Sequence, residues 1–218
     1  TFAFVSLMED GERDFYFNRG ADGQLSIEDL KGINFKDYSI VHFGSATGFL
    51  PGPLQATYLD LLEKAKNAGA IISFDPNYRH LLFPNNTKSF IDQCWPFIEQ
   101  AHFFKLSDEE AMLITGCDTV QHAAADLRKK SKAAFAITMG KEGTLLSMGD
   151  HLEMIGSIAI TPVDATGAGD AFVGAVLFQL INSNPSLLEQ IDLAHWKKMI
   201  SNANKAGART CEFMGAME

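Results

Sequence analysis

The chain changes its hydrophobic pattern near Gly20. Before this point, residues 2–8 and 12–18 carry strand-forming residues on either side of Asp10-Gly11, a common two-residue turn signal, which predicts a β-hairpin. Beyond it, short apolar runs alternate with segments of helix length, and these runs read SIVHFGS, AIISFD, HFFKL and AAFAITMG. The alternation predicts an α/β fold with a parallel sheet and helices on both faces, from which the hairpin projects as a separate small sheet.

Several helix boundaries are also predicted. One helix is expected over residues 53–68, started by Pro53 and ended by Gly69, and another over 108–115, ended by Gly116. A third, late in the chain, has an apolar face with helical period that consists of Phe172, Val173, Val176, Leu177, Leu180 and Ile181.

Polar clusters follow three of the predicted strands. DPNYR comes after AIISF, SDEE after FFKL, and GKEG after AFAITM. Parallel sheets bind their ligands beyond the carboxyl ends of the strands, so we expect these clusters to meet at one edge. Arg79 in the first cluster suits bidentate contact with a phosphate or a sugar-acid group, with Asn77 beside it, whereas Asp75 is interpreted as structural.

The stretch DATGAGDAF combines backbone freedom with a carboxylate. Thr166 is the predicted N-cap of the helix that follows. The amides of the next three residues, Gly167, Ala168 and Gly169, are then donors without helical partners, and their small side chains let a phosphate approach. Asp170 would suit any helix start, but beside a phosphate it repels the ligand unless it has a task. Accepting the proton of a hydroxyl that attacks the phosphate is such a task.

Composition narrows the classes of partner. The 218 residues include 27 acidic and 18 basic ones, a formal net charge of −9, which fits neither a nucleic-acid nor an anionic-membrane binder. The three cysteines are widely spaced and form no zinc-type pair or disulfide framework, and no apolar run approaches membrane-spanning length. We therefore expect no nucleic-acid and no membrane partner, and a cytoplasmic location.

The motifs resemble those of the PfkB (ribokinase-like) family of carbohydrate kinases. DATGAGDAF is similar to the C-terminal signature of that family, and KLSDEE, TMGKEG and ANKAGA follow its N-x-x-E, T-x-G-x-x-G and adenine-pocket elements in the family's order. FYFNRGADGQL and SFDPNYR look most like the fructokinase branch. The resemblance implies a ribokinase-like three-layer sandwich with a mostly parallel central sheet and part of a small β lid.

The resemblance also implies a domain organisation. Residues 1–20 would form a hairpin of the β lid, through which a homodimer could pair, and residues 21–218 the α/β core that binds nucleotide and sugar. The family's N-terminal part, with a di-glycine signature and the main sugar-binding residues, and its last segment are not in this sequence. We therefore expect a fragment that need not be active alone, and the expected function is that of the parent protein.

Catalytic and metal-binding roles follow from the resemblance. Asp170 would be the general base for a sugar primary hydroxyl, and ATP would be the co-substrate. The backbone amides of residues 167–169 would form the anion hole that binds the transferred phosphoryl group. Glu110 matches the acid that holds Mg²⁺ through water. Asp164 and Thr166 match positions that bind a monovalent cation such as K⁺ in some members, although both could equally be caps.

Nucleotide-binding positions are implied in the same way. Thr138, Gly140, Gly143 and Asn204 would line one ATP groove, although they are far apart in sequence. Ser107 would join them. It stands where the family usually has Asn, and its hydroxyl has a shorter reach.

The substrate that the resemblance implies is D-fructose, phosphorylated to fructose 6-phosphate. Arg79, Asn77 and Asp170 would contact the sugar, and Arg19 resembles a lid residue that reaches toward it. Two alternatives stay open. A 2-keto-3-deoxygluconate kinase shares the DPN-x-R loop, and a sensor would bind sugar or nucleotide without catalysis, although the intact Asp170 argues against that class.

Overall fold

The computed structural model describes residues 1–7, 13–182 and 191–216. In chain order its strands and α-helices are β1 (Phe2–Leu7), β2 (Arg13–Asn18), β3 (Ile40–Gly44), α1 (Pro53–Ala68), β4 (Ile71–Asp75), α2 (Thr87–Gln100), β5 (Phe103–Ser107), α3 (Asp108–Thr115), α4 (Val120–Lys130), β6 (Ala134–Thr138), β7 (Thr144–Met148), β8 (His151–Ile155), α5 (Ala168–Asn182) and α6 (Leu193–Thr210). The predicted Asp10-Gly11 turn lies outside the described residues.

The strands form two sheets. β1 and β2 pair antiparallel as a separate small sheet, which confirms the pairing and the placement predicted for the two hairpin strands. The larger sheet has the order β3-β4-β5-β6-β7-β8, parallel from β3 to β6 and antiparallel beyond. The four apolar runs therefore predicted the parallel strands correctly, whereas β7 and β8 were not predicted.

Helices cover both faces of the larger sheet. One core packs beneath α1 to α4 around Phe74, Phe97 and Leu127, and a second lies beneath α5 and α6. Neighbouring residues of one strand enter opposite cores: Phe104 packs in the first and Phe103 in the second. Because β4, β5 and β6 are buried on both sides, their sequences are mostly apolar, as is typical of parallel sheets. The predicted three-layer sandwich is confirmed.

The helix boundaries are set by local signals. α1 and α3 end where predicted, since Gly69 (φ 75°) and Gly116 (φ 72°) take the left-handed conformation that ends a helix. On α5, Ile181 is 53% exposed, so burial of the apolar face does not extend to this last residue. Across the described parts of the chain, we find no helix both long and apolar enough to cross a membrane.

Candidate active site

A cavity of about 690 Å³ opens at the carboxyl ends of β4 and β5, beside the first turn of α5. The DPNYR and SDEE clusters meet here, as predicted, whereas the GKEG turn lies outside the cavity. The polar lining includes Asp75, Asn77, Arg79, Lys105, Ser107, Glu109, Glu110, Thr166 and Asp170, together with the backbone of Gly167 and Gly169.

The start of α5 differs from the prediction. The Gly167 carbonyl accepts the first helical hydrogen bond, from the Ala171 amide at 2.8 Å, so Gly167 and not Thr166 is the N-cap. The Thr166 amide instead donates to the Asp164 carboxylate at 2.7 Å, which holds this residue in the preceding turn. Gly167 has a φ of 81°, a left-handed conformation that glycine adopts without steric cost.

The amides at this helix start are not equivalent. The Ala168 amide donates to the Ala165 carbonyl at 3.2 Å. Those of Gly167, Gly169 and Asp170 donate to no acceptor within the described residues, so they can bind an anion at the positive end of the helix dipole. The donor set is thus shifted from the predicted one, with the amide of Asp170 in the place of that of Ala168.

The Asp170 side chain is exposed and lines the cavity in the first turn of α5. None of the described residues donates a hydrogen bond to its carboxylate. A capping carboxylate would accept backbone amides, as Asp192 does at the start of α6. The Asp170 carboxylate is therefore available to a ligand, next to amides that can hold an anion.

Glu110 connects two loops of the cavity. It is 7% exposed, and its two oxygens accept the Ser107 amide at 2.8 Å and the Tyr78 amide at 2.6 Å. Ser107 in turn caps α3 by accepting the Glu110 amide at 3.1 Å, a capping box. Each oxygen keeps a further lone pair, so this carboxylate fits an ion held through water. The described residues contain no group of three or more His, Cys, Asp or Glu placed to hold a metal.

A buried ion pair at the floor of the cavity was missed. The Lys105 ammonium lies 3.4 Å from the Asp75 carboxylate, and the two residues are 7% and 4% exposed. Burial raises the pKa of Asp75 to about 6, although the nearby Lys105 charge favours the ionised form. The signal in the sequence was a single lysine within the apolar run HFFKL, because lysine is almost never fully buried without a partner.

The loop after β4 carries the predicted phosphate or sugar contacts. Asn77 takes a left-handed conformation (φ 47°), and its backbone amide donates to the Asp75 carboxylate at 3.2 Å. Arg79 is exposed at the cavity, with one guanidinium hydrogen bond to the Tyr78 carbonyl at 3.3 Å. The remaining guanidinium donors can reach an anionic ligand.

Of the predicted nucleotide residues, Ser107 lines the cavity and the other four lie outside it. Thr138 is paired with Ser107 across β5 and β6, and with Thr144 across β6 and β7. Asn204 is buried: its side chain accepts from the Thr144 hydroxyl at 2.6 Å and donates to the Ile155 carbonyl at 2.9 Å.

Gly143 and Asn204 meet at the same place. A Cβ on Gly143 would lie 2.8 Å from the Cα of Gly156, whose carbonyl also accepts from Asn204 at 3.2 Å. The four residues thus lie around the ends of β6, β7 and β8. Contact with a nucleotide stays a prediction.

Replacing Asn204 with leucine is expected to lower the free energy of unfolding by about 3 kcal/mol, because buried partners in β7 and β8 lose their hydrogen bonds. Urea titration measures this loss. Asn202→Leu, on the exposed face of α6, is the matched control and should change stability by less than about 0.5 kcal/mol. Equal losses in the two variants would show that the Asn204 hydrogen bonds are not stabilising.

Asp164 binds two separate parts of the chain. It is 7% exposed, and its carboxylate accepts the amides of Thr166 and of Gly215, the latter at 3.0 Å. The residue therefore ties the segment before α5 to the C-terminal segment. This is the behaviour of a capping carboxylate, and the predicted cation at Asp164 and Thr166 stays a prediction.

Arg19 lies outside the cavity. Its guanidinium donates to the carbonyls of Pro51, Thr47 and Leu50, the last two at 3.2 and 3.4 Å. These contacts attach the end of the hairpin to the loop that precedes α1. The predicted contact with a sugar stays a prediction.

Known proteins are similar to this chain in sequence. The sequence model of the pfkB family of carbohydrate kinases matches residues 1–218 of the chain. Fructokinase-1 of Oryza sativa subsp. japonica and probable fructokinase-4 of Arabidopsis thaliana are each 34% identical to the chain. Each alignment covers 99% of this chain. It covers 66% of the Oryza sativa protein and 65% of the Arabidopsis thaliana protein. The chain thus spans just under two thirds of the length of these curated relatives.

Solved structures share the fold. The aminoimidazole riboside kinase of Salmonella enterica, complexed with aminoimidazole riboside and an ATP analogue, is 29% identical with a TM-score of 0.83, covering 100% of this chain and 69% of its own. The Vibrio cholerae O395 fructokinase with fructose, ADP and calcium ion bound has a TM-score of 0.86 at 23% identity, covering 99% and 68%, and supports the fold alone.

Proposed function

Because the chain belongs to the pfkB family of carbohydrate kinases, we propose that its protein transfers the γ-phosphate of ATP to the primary hydroxyl of a sugar, converting D-fructose to fructose 6-phosphate. The choice of fructose is supported by relatives that are named fructokinases. The observation that carries the proposal is Asp170, an exposed carboxylate in the cavity beside amides that are available to an anion.

In this reaction, the carboxylate of Asp170 accepts the proton of the sugar hydroxyl as that oxygen attacks the phosphoryl group. The amides of Gly167, Gly169 and Asp170 donate to the oxygens on which negative charge develops. Arg79, which also lines the cavity, is suited to hold a phosphate or an oxygen of the sugar.

The nucleotide is proposed to bind along Ser107, Thr138 and the turn from Gly140 to Gly143, since these residues continue from the cavity along the ends of the strands. Asn204 stabilises the neighbouring strand ends through its hydrogen bonds to Thr144 and Ile155. Glu110 would hold a Mg²⁺ ion through water, and a bound ion neutralises phosphate charge. A K⁺ ion at Asp164 and Thr166 belongs to the same proposal.

The hairpin is proposed to pair with that of a second copy. Its exposed surface carries Phe2, Phe4 and Tyr16, and the last two rings lie 6.2 Å apart across the strands. Aromatic side chains exposed to this degree are common where two proteins meet.

We also propose that the protein is located in the cytoplasm, where the free thiols of Cys94, Cys117 and Cys211 would stay reduced.

A panel of sugars tests the proposed substrate. The full-length protein is incubated with ATP, Mg²⁺ and D-fructose, D-ribose or 2-keto-3-deoxygluconate, and ADP formation is measured. We expect the highest kcat/KM for fructose. A higher value for 2-keto-3-deoxygluconate would assign the alternative kinase activity, and sugar binding without ADP formation would indicate a sensor.

A further inference from the structure

Lys105 places its ammonium group directly against the first turn of α5, at Gly169. It lies in β5 among apolar residues and reaches the cavity, where its Nζ would be 3.2 Å from a Cβ placed on Gly169. Gly169 has no left-handed φ, so its backbone does not require glycine. The absence of a side chain at this position therefore makes room for the lysine, unlike at Gly167, where the φ of 81° favours glycine.

Asp75 holds this lysine in place. One carboxylate oxygen lies 3.4 Å from the Lys105 ammonium, and the other accepts the Asn77 amide at 3.2 Å. Asp75 is the one carboxylate within ion-pair distance of Lys105 among the described residues. The carboxylate is thus anchored to the β4 loop at one side and to the cation at the other.

Stability alone does not account for this pair. Removing two charges from water costs several kcal/mol per ion, and the attraction between them often does no more than offset that cost. The ammonium has three donors, and its 3.4 Å hydrogen bond to Asp75 uses one of them, so it keeps donors for a ligand. Its position in the cavity points to a use in binding.

We propose that Asp75 is a positioning residue that acts through Lys105, holding the ammonium beside the Gly169 backbone so that it contacts the γ-phosphate of bound ATP. This inference rests on the proposed function, because it requires ATP to place its terminal phosphate at the start of α5. It gives Asp75 a role in phosphate binding in place of the structural role expected from the sequence.

The proposal predicts a specific dependence between the two residues. Lys105→Met removes the cation, and Asp75→Asn keeps the acceptor for the Asn77 amide but removes the charge that holds the cation. Each change should weaken binding of a non-hydrolysable ATP analogue by about 10- to 100-fold, the usual effect of losing a charged hydrogen bond. ADP, which lacks the γ-phosphate, should lose less than about threefold.

The double variant provides the decisive measurement. If Asp75 acts through Lys105, Asp75→Asn causes no further loss of analogue affinity once Lys105→Met is present. Calorimetry with the full-length protein measures both nucleotides in the wild type, the two single variants and the double variant. Additive losses, or equal losses for ADP and the analogue, would overturn the proposal, and so would a wild type that binds neither nucleotide.

A matched control comes from an exposed pair on α1. Asp60→Asn and Lys64→Met remove a surface ion pair of 3.5 Å and should leave both nucleotide affinities unchanged. The test is also separate from the proposed sugar. If the wild type phosphorylates no sugar but the selective loss of the analogue is observed, the proposed function fails and the positioning role stands.

Discussion

Replacing Asp170 with asparagine is expected to lower kcat by a factor of about 10² to 10⁴ while ATP binds with near-normal affinity. The amide keeps the size of the side chain but cannot take the proton that the sugar hydroxyl must lose. Because none of the described residues donates a hydrogen bond to this carboxylate, the substitution breaks no hydrogen bond that the fold requires. ATP affinity can rise slightly, because a negative charge near the phosphates is removed.

The measurement is steady-state kinetics with fructose in the full-length protein, with ATP affinity determined by calorimetry. Asp108→Asn is the control, since Asp108 also lies in the first turn of a helix, α3, but outside the cavity. It should change kcat by less than about twofold. Near-wild-type turnover in Asp170→Asn would contradict the general-base role, and Asp170 would then be an ordinary carboxylate at a helix start.

Replacing Gly143 with alanine is expected to lower the free energy of unfolding by about 3 kcal/mol and to weaken ATP binding at least tenfold. The residue has a φ of 106°, which a side chain rarely tolerates, and the new Cβ would meet the carbonyl of Ile155 and lie 2.8 Å from the Cα of Gly156. The strands around the proposed nucleotide groove must separate to accommodate it.

Gly149→Ala separates this clash from simple backbone strain. Gly149 has a φ of 55° in the turn between β7 and β8, and a Cβ there meets no atom within 4 Å. The expected loss is about 1 kcal/mol, with ATP affinity unchanged. Urea unfolding and calorimetry measure both effects. Equal losses in the two variants would show that the contact with Ile155 and Gly156 has no effect.

Much of the architecture could be predicted from the sequence because it depends on local signals. Continuous apolar runs predicted β3 to β6, and the left-handed glycines Gly69 and Gly116 ended α1 and α3 where expected. The motif DATGAGDAF predicted a helix start with donors for an anion, and α5 begins within it. Backbone conformation and hydrophobic period act over a few residues, so one segment carries enough information.

Other features depended on contacts between distant segments. The partner of Asp75 is 30 residues away in the chain, and those of Asn204 are 60 and 49 residues away. Nothing near Asp75 in sequence indicates that its partner is Lys105, and Asn204 in isolation fits a nucleotide contact as well as a buried hydrogen-bond bridge. The first helical bond of α5 likewise shifted the N-cap from Thr166 to Gly167.

The sequence by itself therefore determined the layers of this protein, the carboxyl edge at which its polar clusters meet, and the carboxylate that faces the cavity. Only the tertiary structure decided which amides stay available to an anion, which acid holds Lys105, and which side chains serve the fold. Hydrogen bonds and ion pairs inside a protein depend on distances of a few ångströms, and those distances exist only once the helices and strands have packed.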